Sequence, residues 1–115
     1  VKLLGRRDDI TQLLNIANYF ILSSKYEGLP TVVMEAMACE TYVIATDCGG
    51  SKEIMGETGK LVPIQDSVAL AEAMEQALYL GEAEVAKNNC DARLRVEENF
   101  SLESSVQNWL KIYAA

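Results

Sequence analysis

The sequence contains no histidine among its 115 residues, and this absence excludes several kinds of chemistry. Histidine is the usual general base of catalytic triads and the commonest protein ligand of metal ions such as zinc. The sequence also has no Asp-x-Asp pair, so we expect neither a metal nor a cofactor. Any chemistry must therefore come from carboxylates, hydroxyls, backbone amides, lysine or arginine.

Long apolar runs are also missing. No run approaches the roughly 18 residues that a membrane-spanning helix needs, so we expect no membrane span. Cysteines are few: Cys39, Cys48 and Cys90 are an odd number at no metal-like spacing, which favours reduced thiols in a cytoplasmic protein. A peripheral position of the full-length protein at the inner face of the membrane is the alternative.

Basic residues are scarce, because ten lysines and arginines stand against 17 acids and give a net charge of −7. Proteins that bind nucleic acid need clustered Lys and Arg to neutralise phosphates, so we expect no nucleic-acid partner. The length fits one domain over residues 1–115, and a hydrophobic content of 50% is enough to build a core.

Short apolar runs alternate with segments of helical period through the first two thirds of the chain. This alternation predicts an α/β fold with a parallel sheet of βαβ units. The predicted strands are Val1–Leu4, Tyr19–Ser23, Tyr42–Thr46 and Lys60–Pro63, and the predicted helices between them are Ile10–Ala17, Pro30–Cys39 and Ser51–Met55.

Beyond residue 65 the pattern predicts helices alone. Asp66 and Ser101 stand where they can cap the first and the last of these helices. Trp109 and Tyr113 are four residues apart and share one helix face, so we predict that they dock the last helix onto the sheet.

The most informative stretch leads from the predicted strand Tyr19–Ser23 through a Gly-Pro loop into the predicted helix Pro30–Cys39. In open parallel sheets, ligands bind at the carboxyl ends of strands, where helix N-termini point free amides at anions. Gly28 permits a close backbone approach or a positive φ. The stretch predicts a phosphate site, with an ordinary loop as the alternative, and its candidate amides belong to Leu29, Thr31 and Val32.

Glu35 is a carboxylate in a predicted helix that is otherwise apolar nearly all round. Such a helix is expected to be buried, where a carboxylate is costly unless it is hydrogen-bonded or faces a cleft. Thr31 lies one turn earlier on the same stripe. We predict that Glu35 stands behind the phosphate site, within reach of ribose or sugar hydroxyls; a solvated edge is the alternative.

Two further features follow strand ends. Gly49 and Gly50 come after the predicted strand Tyr42–Thr46, where they form either a ligand-side turn or a plain one. Arg6 and Arg7 follow the first predicted strand and could reach a phosphate, but two aspartates follow them directly, so we predict a solvated loop.

Glu27 and Glu35, with seven residues between them, reproduce the E-x7-E signature of retaining glycosyltransferases with the GT-B fold, and the sequence resembles family 4 most closely. Other blocks in family order extend this resemblance over essentially the whole chain. They are Tyr19 to Pro30, Thr31 to Cys39, Val43 to Ile54, Thr58 to Pro63 and Phe100 to Tyr113.

The resemblance implies a donor site for a UDP-, GDP- or ADP-sugar whose hexosyl group passes to an acceptor. By resemblance, Glu27 is the catalytic residue that contacts the hydroxyls of the donor sugar, and Glu35 binds the ribose. The resemblance also implies that neither is a nucleophile, because the family's reaction proceeds on one face of the sugar with help from the leaving phosphate. The sugar and pyrophosphate would be held by the backbone amides of Gly28, Leu29, Thr31 and Val32.

The family's donor domain begins with two strands that carry a glycine loop and an Arg/Lys pair, and neither strand is found here. The chain therefore resembles the second half of that domain: a partial Rossmann-like parallel sheet with C-terminal helices, without the N-terminal acceptor domain. Alone, we expect it to be inactive. Without those two strands, Tyr19–Ser23 either pairs directly with Val1–Leu4 or is left as an apolar edge. An apolar edge predicts a dimer formed by edge pairing or by exchange of the first strand and its helix.

Two alternatives stay open. One is a flavodoxin-like or receiver-like signalling module, in which acids follow the first strand and a lysine follows a later one. Asp8 and Asp9 fit the first requirement, but Asp47 and Cys48 stand after Thr46 where the lysine is needed. The other is part of a GT-B-like sugar-nucleotide epimerase, which would share the nucleotide site.

Overall fold

The chain folds into three strands and six helices, and the computed structural model describes all residues from 1 to 115. In chain order the elements are α1 (Ile10–Ile16), β1 (Tyr19–Leu22), α2 (Thr31–Ala38), β2 (Tyr42–Thr46), α3 (Ser51–Met55), β3 (Lys60–Val62), α4 (Ser67–Leu78), α5 (Glu82–Phe100) and α6 (Leu102–Ala114).

The strands form one parallel sheet in the order β1-β2-β3. Tyr19 lies opposite Tyr42, and Thr46 lies opposite Val62, so the carboxyl ends of the strands meet at one edge. All five residues of β2 are buried, as expected for a continuous apolar strand that is covered on both faces. The predicted α/β class with a parallel sheet is confirmed.

Alternate residues of β2 point to opposite faces of the sheet and enter two separate cores. Val43 and Ala45 pack with residues of α2, α3 and α5, whereas Tyr42 and Ile44 pack with β3 and α4. The first core is completed by Leu14, Val33, Ala36, Met37, Ile54, Met55 and Ala92, and the second by Val62, Ala73 and Ala77.

The predicted helix caps at Asp66 and Ser101 are confirmed. The Asp66 carboxylate accepts the backbone N–H of Ala69 at 2.8 Å, and the Ser101 hydroxyl accepts that of Ser104 at 3.1 Å. Each cap satisfies an amide that the first helical turn leaves without a partner. None of the six helices combines the length and the apolar surface needed to cross a membrane.

The predicted strand Val1–Leu4 is wrong. Residues 1–9 contain neither helix nor strand, and Val1, Leu3 and Leu4 are exposed. An extended segment becomes a strand only when a neighbour accepts its backbone hydrogen bonds, and β1 pairs with β2 alone. One edge of β1 therefore remains free.

The prediction that Trp109 and Tyr113 dock the last helix onto the sheet is also wrong. They stack on each other with ring centroids 6.0 Å apart, both side chains are exposed, and α6 has no buried residue. The 19-residue helix α5, about 28 Å long at 1.5 Å per residue, carries α6 away from the sheet.

Candidate functional site

A buried threonine at the end of β2 fixes the start of the loop that leads from β1 to α2. Thr46 is 4% exposed, and its Oγ1 donates to the backbone oxygen of Ser24 at 2.6 Å. The same Oγ1 lies 3.3 Å from the backbone oxygen of Leu22, the last residue of β1. The carboxyl ends of two neighbouring strands and the first loop residues are thus tied together.

The Gly49–Gly50 turn packs directly against the far part of this loop. The backbone N–H of Gly50 donates to the oxygen of Gly28 at 2.8 Å. Gly49 has φ +53°, and a Cβ there would lie 2.2 Å from the backbone oxygen of Glu27. The structure therefore places both glycines on the predicted side, where Gly49 allows two loops to approach.

The sequence predicts either a close backbone approach or a positive φ at Gly28. Its φ is not in the positive region, and a Cβ would meet no atom within 4 Å. The positive φ is thus not observed, whereas the close backbone approach is, since the Gly28 carbonyl lies 2.8 Å from the Gly50 nitrogen. The surface on the Cα side of Gly28 is open. Leu29 is half exposed, and its Cδ1 is 2.6 Å from where a Cβ on Gly50 would lie.

Helix α2 presents unpaired amides at the end of the loop. It begins at Thr31, with Pro30 as the N-cap residue, one residue later than predicted, and no side chain caps it. Val33 N–H bonds to the Pro30 oxygen at 3.0 Å, whereas the N–H groups of Thr31 and Val32 have no partner in the chain. Free amides and the positive end of the helix dipole suit this point to an anion.

Glu35 lies on a solvated edge, which was the alternative, and the prediction that it lies in a buried helix face is wrong. Glu35 and Thr31 are exposed, while Val33 and Met37 on the opposite face are buried. The reason is that α2 packs against the sheet, α3 and α5 with one face only. Glu35 therefore faces outward, and its carboxylate makes no hydrogen bond within the chain.

Glu27 is exposed in the middle of the loop, and its Oε1 accepts a hydrogen bond from the Ser24 hydroxyl at 2.7 Å. The sequence alone did not predict a role for Ser24 or Thr46. The Ser-x-x-Glu spacing, which is also that of a capping box, was the available signal for Ser24. The signal for Thr46 was a hydroxyl at the last position of a buried strand.

The Arg6–Arg7 loop is solvated, as predicted, and its charge is used locally. Arg7 Nε donates to Asp9 Oδ1 at 2.7 Å. This hydrogen bond and the Asp9 charge raise the pKa of Arg7, and the hydrogen bond from Arg7 lowers the pKa of Asp9. Arg7 is thus paired within its own loop.

The predicted site residues lie on an open surface and line no enclosed cavity. Of the clefts at this edge of the sheet, one of about 450 Å³ adjoins the end of β3, and another, of about 340 Å³, lies between the strand ends and the start of α4. The latter is lined by Ser23, Thr46, Gln65, Asp66, Ser67 and Leu70. The site therefore offers one wall to a ligand, built from a fixed loop, two exposed carboxylates and a helix N-terminus.

Comparison with known proteins identifies the class to which this fold and surface belong. The sequence model of the family described as "Glycosyl transferases group 1" matches residues 1–79, and the chain belongs to this family. The α/β class and the partial GT-B donor-domain type inferred from the sequence are confirmed. The comparisons support neither the signalling module nor the epimerase.

Particular relatives cover nearly all of this chain. It is 34% identical to N-acetyl-alpha-D-glucosaminyl L-malate synthase of Bacillus anthracis, over 98% of this chain and 30% of that protein. It is 36% identical to the putative glycosyltransferase EpsD of Bacillus subtilis, over 96% of this chain and 29% of that protein. The chain thus spans about a third of the length of these relatives.

Solved structures agree. A glycosyltransferase from Rickettsia africae superposes with a TM-score of 0.86 at 31% identity, covering 97% of this chain and 31% of that one. Sucrose-phosphate synthase from Thermosynechococcus elongatus superposes with a TM-score of 0.75 at 37% identity, covering 85% and 25%.

Proposed function

We propose that this chain is the donor-binding part of a retaining glycosyltransferase, the C-terminal portion of its nucleotide-sugar-binding domain. The full-length protein would transfer a hexosyl group from a UDP-, GDP- or ADP-sugar to an acceptor. The observation that carries the proposal is the uncapped start of α2 beside a loop that Thr46 and Gly50 hold in place. Membership of the family supports it. No metal or cofactor takes part in this function.

The two glutamates take different parts of the donor in this proposal. Glu27 accepts hydrogen bonds from sugar hydroxyls, and Glu35 accepts those of the ribose, since a carboxylate is an acceptor-only group. The pyrophosphate lies against the α2 N-terminus, where charge on the leaving group would be stabilised. The protein's contribution is positioning and electrostatic stabilisation rather than covalent catalysis. The contacts to sugar and pyrophosphate come from the amides of Gly28, Leu29, Thr31 and Val32.

Alone, the chain is expected to be inactive. It spans about a third of the length of its relatives and offers one open wall of a site. The second wall, with the acceptor, would come from the rest of the full-length protein.

Replacing Glu35 by Gln in the full-length protein tests the proposal. Losing charge-assisted hydrogen bonds to the ribose should raise the donor KM and lower kcat/KM by roughly 10- to 100-fold. Glu75→Gln, at an exposed position of α4, is the matched control and should leave the kinetics unchanged. Identical kinetics for the two variants would remove Glu35 from the site.

We further propose that the chain alone forms a dimer through the free edge of β1. The run Tyr19–Leu22 has no charge and no proline, so its unpaired backbone groups can bind a second copy. Ile21 adjoins a small apolar cavity of about 80 Å³ whose rim includes Met74 and Leu78, both exposed. Exchange of the first strand has lost its basis, because Val1–Leu4 is not a strand.

Sedimentation of the chain at micromolar concentration should show a dimer. Ile21→Lys should give a monomer, because it places a charge on the pairing edge. The control Ile112→Lys, at an exposed position of α6, should remain dimeric. A clean monomer for the unaltered chain would contradict edge pairing.

We also propose that the full-length protein works in the cytoplasm, with a peripheral position at the inner membrane face as the alternative. The three cysteines of this chain are free, as expected in a reducing compartment. Cell fractionation separates the two: recovery in the soluble fraction supports the cytoplasm, and recovery with membranes until salt is added supports the periphery.

A further inference from the structure

We propose that Ser24 is a positioning residue that sets the orientation of the Glu27 carboxylate for the donor sugar. The inference rests on the proposed function of Glu27. The Ser24 hydroxyl donates to Glu27 Oε1 at 2.7 Å, and Oε2 has no partner within the chain. One carboxylate oxygen is therefore held by the protein while the other remains available to a ligand.

A hydrogen bond between two surface side chains contributes little when both ends are mobile, because ordering them costs conformational entropy. Here the backbone is fixed on both sides of the pair. The Ser24 carbonyl accepts from buried Thr46 at 2.6 Å, and the Gly28 carbonyl, one residue past Glu27, accepts from Gly50 at 2.8 Å. The loop bend that carries the Ser24 hydroxyl and the Glu27 carboxylate is thus fixed to the end of β2, which keeps these two groups within hydrogen-bond distance.

A close backbone contact with Gly49 also fixes the same bend. A Cβ at Gly49 would lie 2.2 Å from the Glu27 carbonyl oxygen, so the backbone of Glu27 rests directly on that glycine. The Glu27 side chain is exposed and, apart from Ser24, makes no hydrogen bond within the chain. Ser24 is therefore the single polar group of this chain that selects its orientation.

This arrangement predicts a specific pattern of loss. Removing the hydroxyl frees the Glu27 carboxylate to rotate, which weakens contacts with the sugar and leaves the α2 N-terminus unchanged. Transfer from the sugar nucleotide should therefore suffer, whereas the affinity for the nucleoside diphosphate alone should not. A general role of Ser24 in loop folding would lower both.

The experiment is a double-mutant cycle in the full-length protein with Ser24→Ala, Glu27→Ala and the combined variant. Ser24→Ala should lower kcat/KM for the sugar nucleotide about tenfold, as expected for a lost hydrogen bond to a charged group. In the Glu27→Ala background the same change should have no further effect, since Ser24 acts through Glu27. Ser105→Ala, at an exposed site on α6, is the control.

A second pair of variants guards against loss of folding. Ser24→Thr keeps the hydroxyl, and Ser24→Val places a side chain of the shape of threonine there without a hydroxyl. The threonine variant should therefore be about tenfold more active than the valine variant. Equal activity of the threonine and valine variants overturns the inference. So does a tenfold loss of kcat/KM from Ser24→Ala when Glu27 is already Ala. If the unaltered protein neither binds a nucleoside diphosphate nor transfers a sugar, the proposed function itself fails, and this inference falls with it.

Discussion

Two buried threonines brace the opposite ends of β2 with the same kind of hydrogen bond. Thr41, directly before the strand, donates to the backbone oxygen of Leu14 at 2.7 Å. Thr46, its last residue, donates to the backbone oxygen of Ser24 at 2.6 Å. At the amino end the brace holds the last turn of a helix, and at the carboxyl end it holds a loop that leads into one.

This difference distinguishes the end of β2 that only stabilises the fold from the end that carries the candidate site. Clefts of about 450 Å³ lie at both ends, so cleft volume does not mark the site. The carboxyl end has the free amides of Thr31 and Val32 and two exposed glutamates. In a parallel sheet every following helix begins at that end, which places anion-binding groups there and not at the other.

The largest effect should come from adding one methyl group at the carboxyl end. Gly49→Ala should lower the free energy of unfolding of the chain by about 2–4 kcal/mol, because its φ is positive and its Cβ would overlap a carbonyl oxygen. Gly28→Ala, in the same loop contact but with open space around it, should change stability by less than about 0.5 kcal/mol. Denaturant melts of both variants measure this.

Equal stabilities for these two alanine variants would show that the two loops are not packed as described. The comparison between the ends of β2 would then lose its structural basis, because the loop from β1 to α2 would no longer be fixed on both sides.

A smaller effect should distinguish the hydrogen bonds that Thr41 and Thr46 donate. Thr46→Val removes the donor to the Ser24 carbonyl, and Thr41→Val leaves the Leu14 carbonyl with only the backbone N–H of Ala17 at 3.2 Å. Each variant should lower the free energy of unfolding by about 1–2 kcal/mol. Only Thr46→Val should also weaken binding of a nucleoside diphosphate, since only it loosens the loop beside the α2 N-terminus. Denaturant melts and binding titrations on the two variants give the required pair of numbers.

Weaker binding of the nucleoside diphosphate in both valine variants would contradict this difference between the two ends of β2. Such a result would mean that binding follows overall stability and that the carboxyl end holds no special role.

Much of the fold was predictable because the relevant signals are local. Apolar runs and helical periods predicted every observed strand and helix from residue 10 onward, and Asp66 and Ser101 marked helix starts by their own chemistry. The errors concern burial: Val1–Leu4 and Trp109 lack a partner surface, and Glu35 lies on the uncovered face of its helix. Apolar side chains indicate what a segment can cover, and not whether a neighbour is present.

Some residues of the candidate site could likewise be predicted from local signals, and others could not. Spacing along the chain was enough to pick out Glu27 and Glu35. The roles of Thr46 and Gly49 depend on contacts across 22 residues in each case, and no pattern within one element reports such contacts. Ser24 stands between these cases, because its spacing to Glu27 is local but its fixed position comes from Thr46.

Amide chemical shifts of the labelled chain, titrated with UDP, GDP and ADP, test the central claim most directly. At least one of the three should move the amides of Gly28, Thr31 and Val32, with a Kd on the order of 1 mM, equivalent to about −4 kcal/mol. The amides of Asn18 and Glu40, at the amino end of the sheet, should not move. No shift with any of the three, or shifts confined to Asn18, Glu40 and their neighbours, would contradict the account.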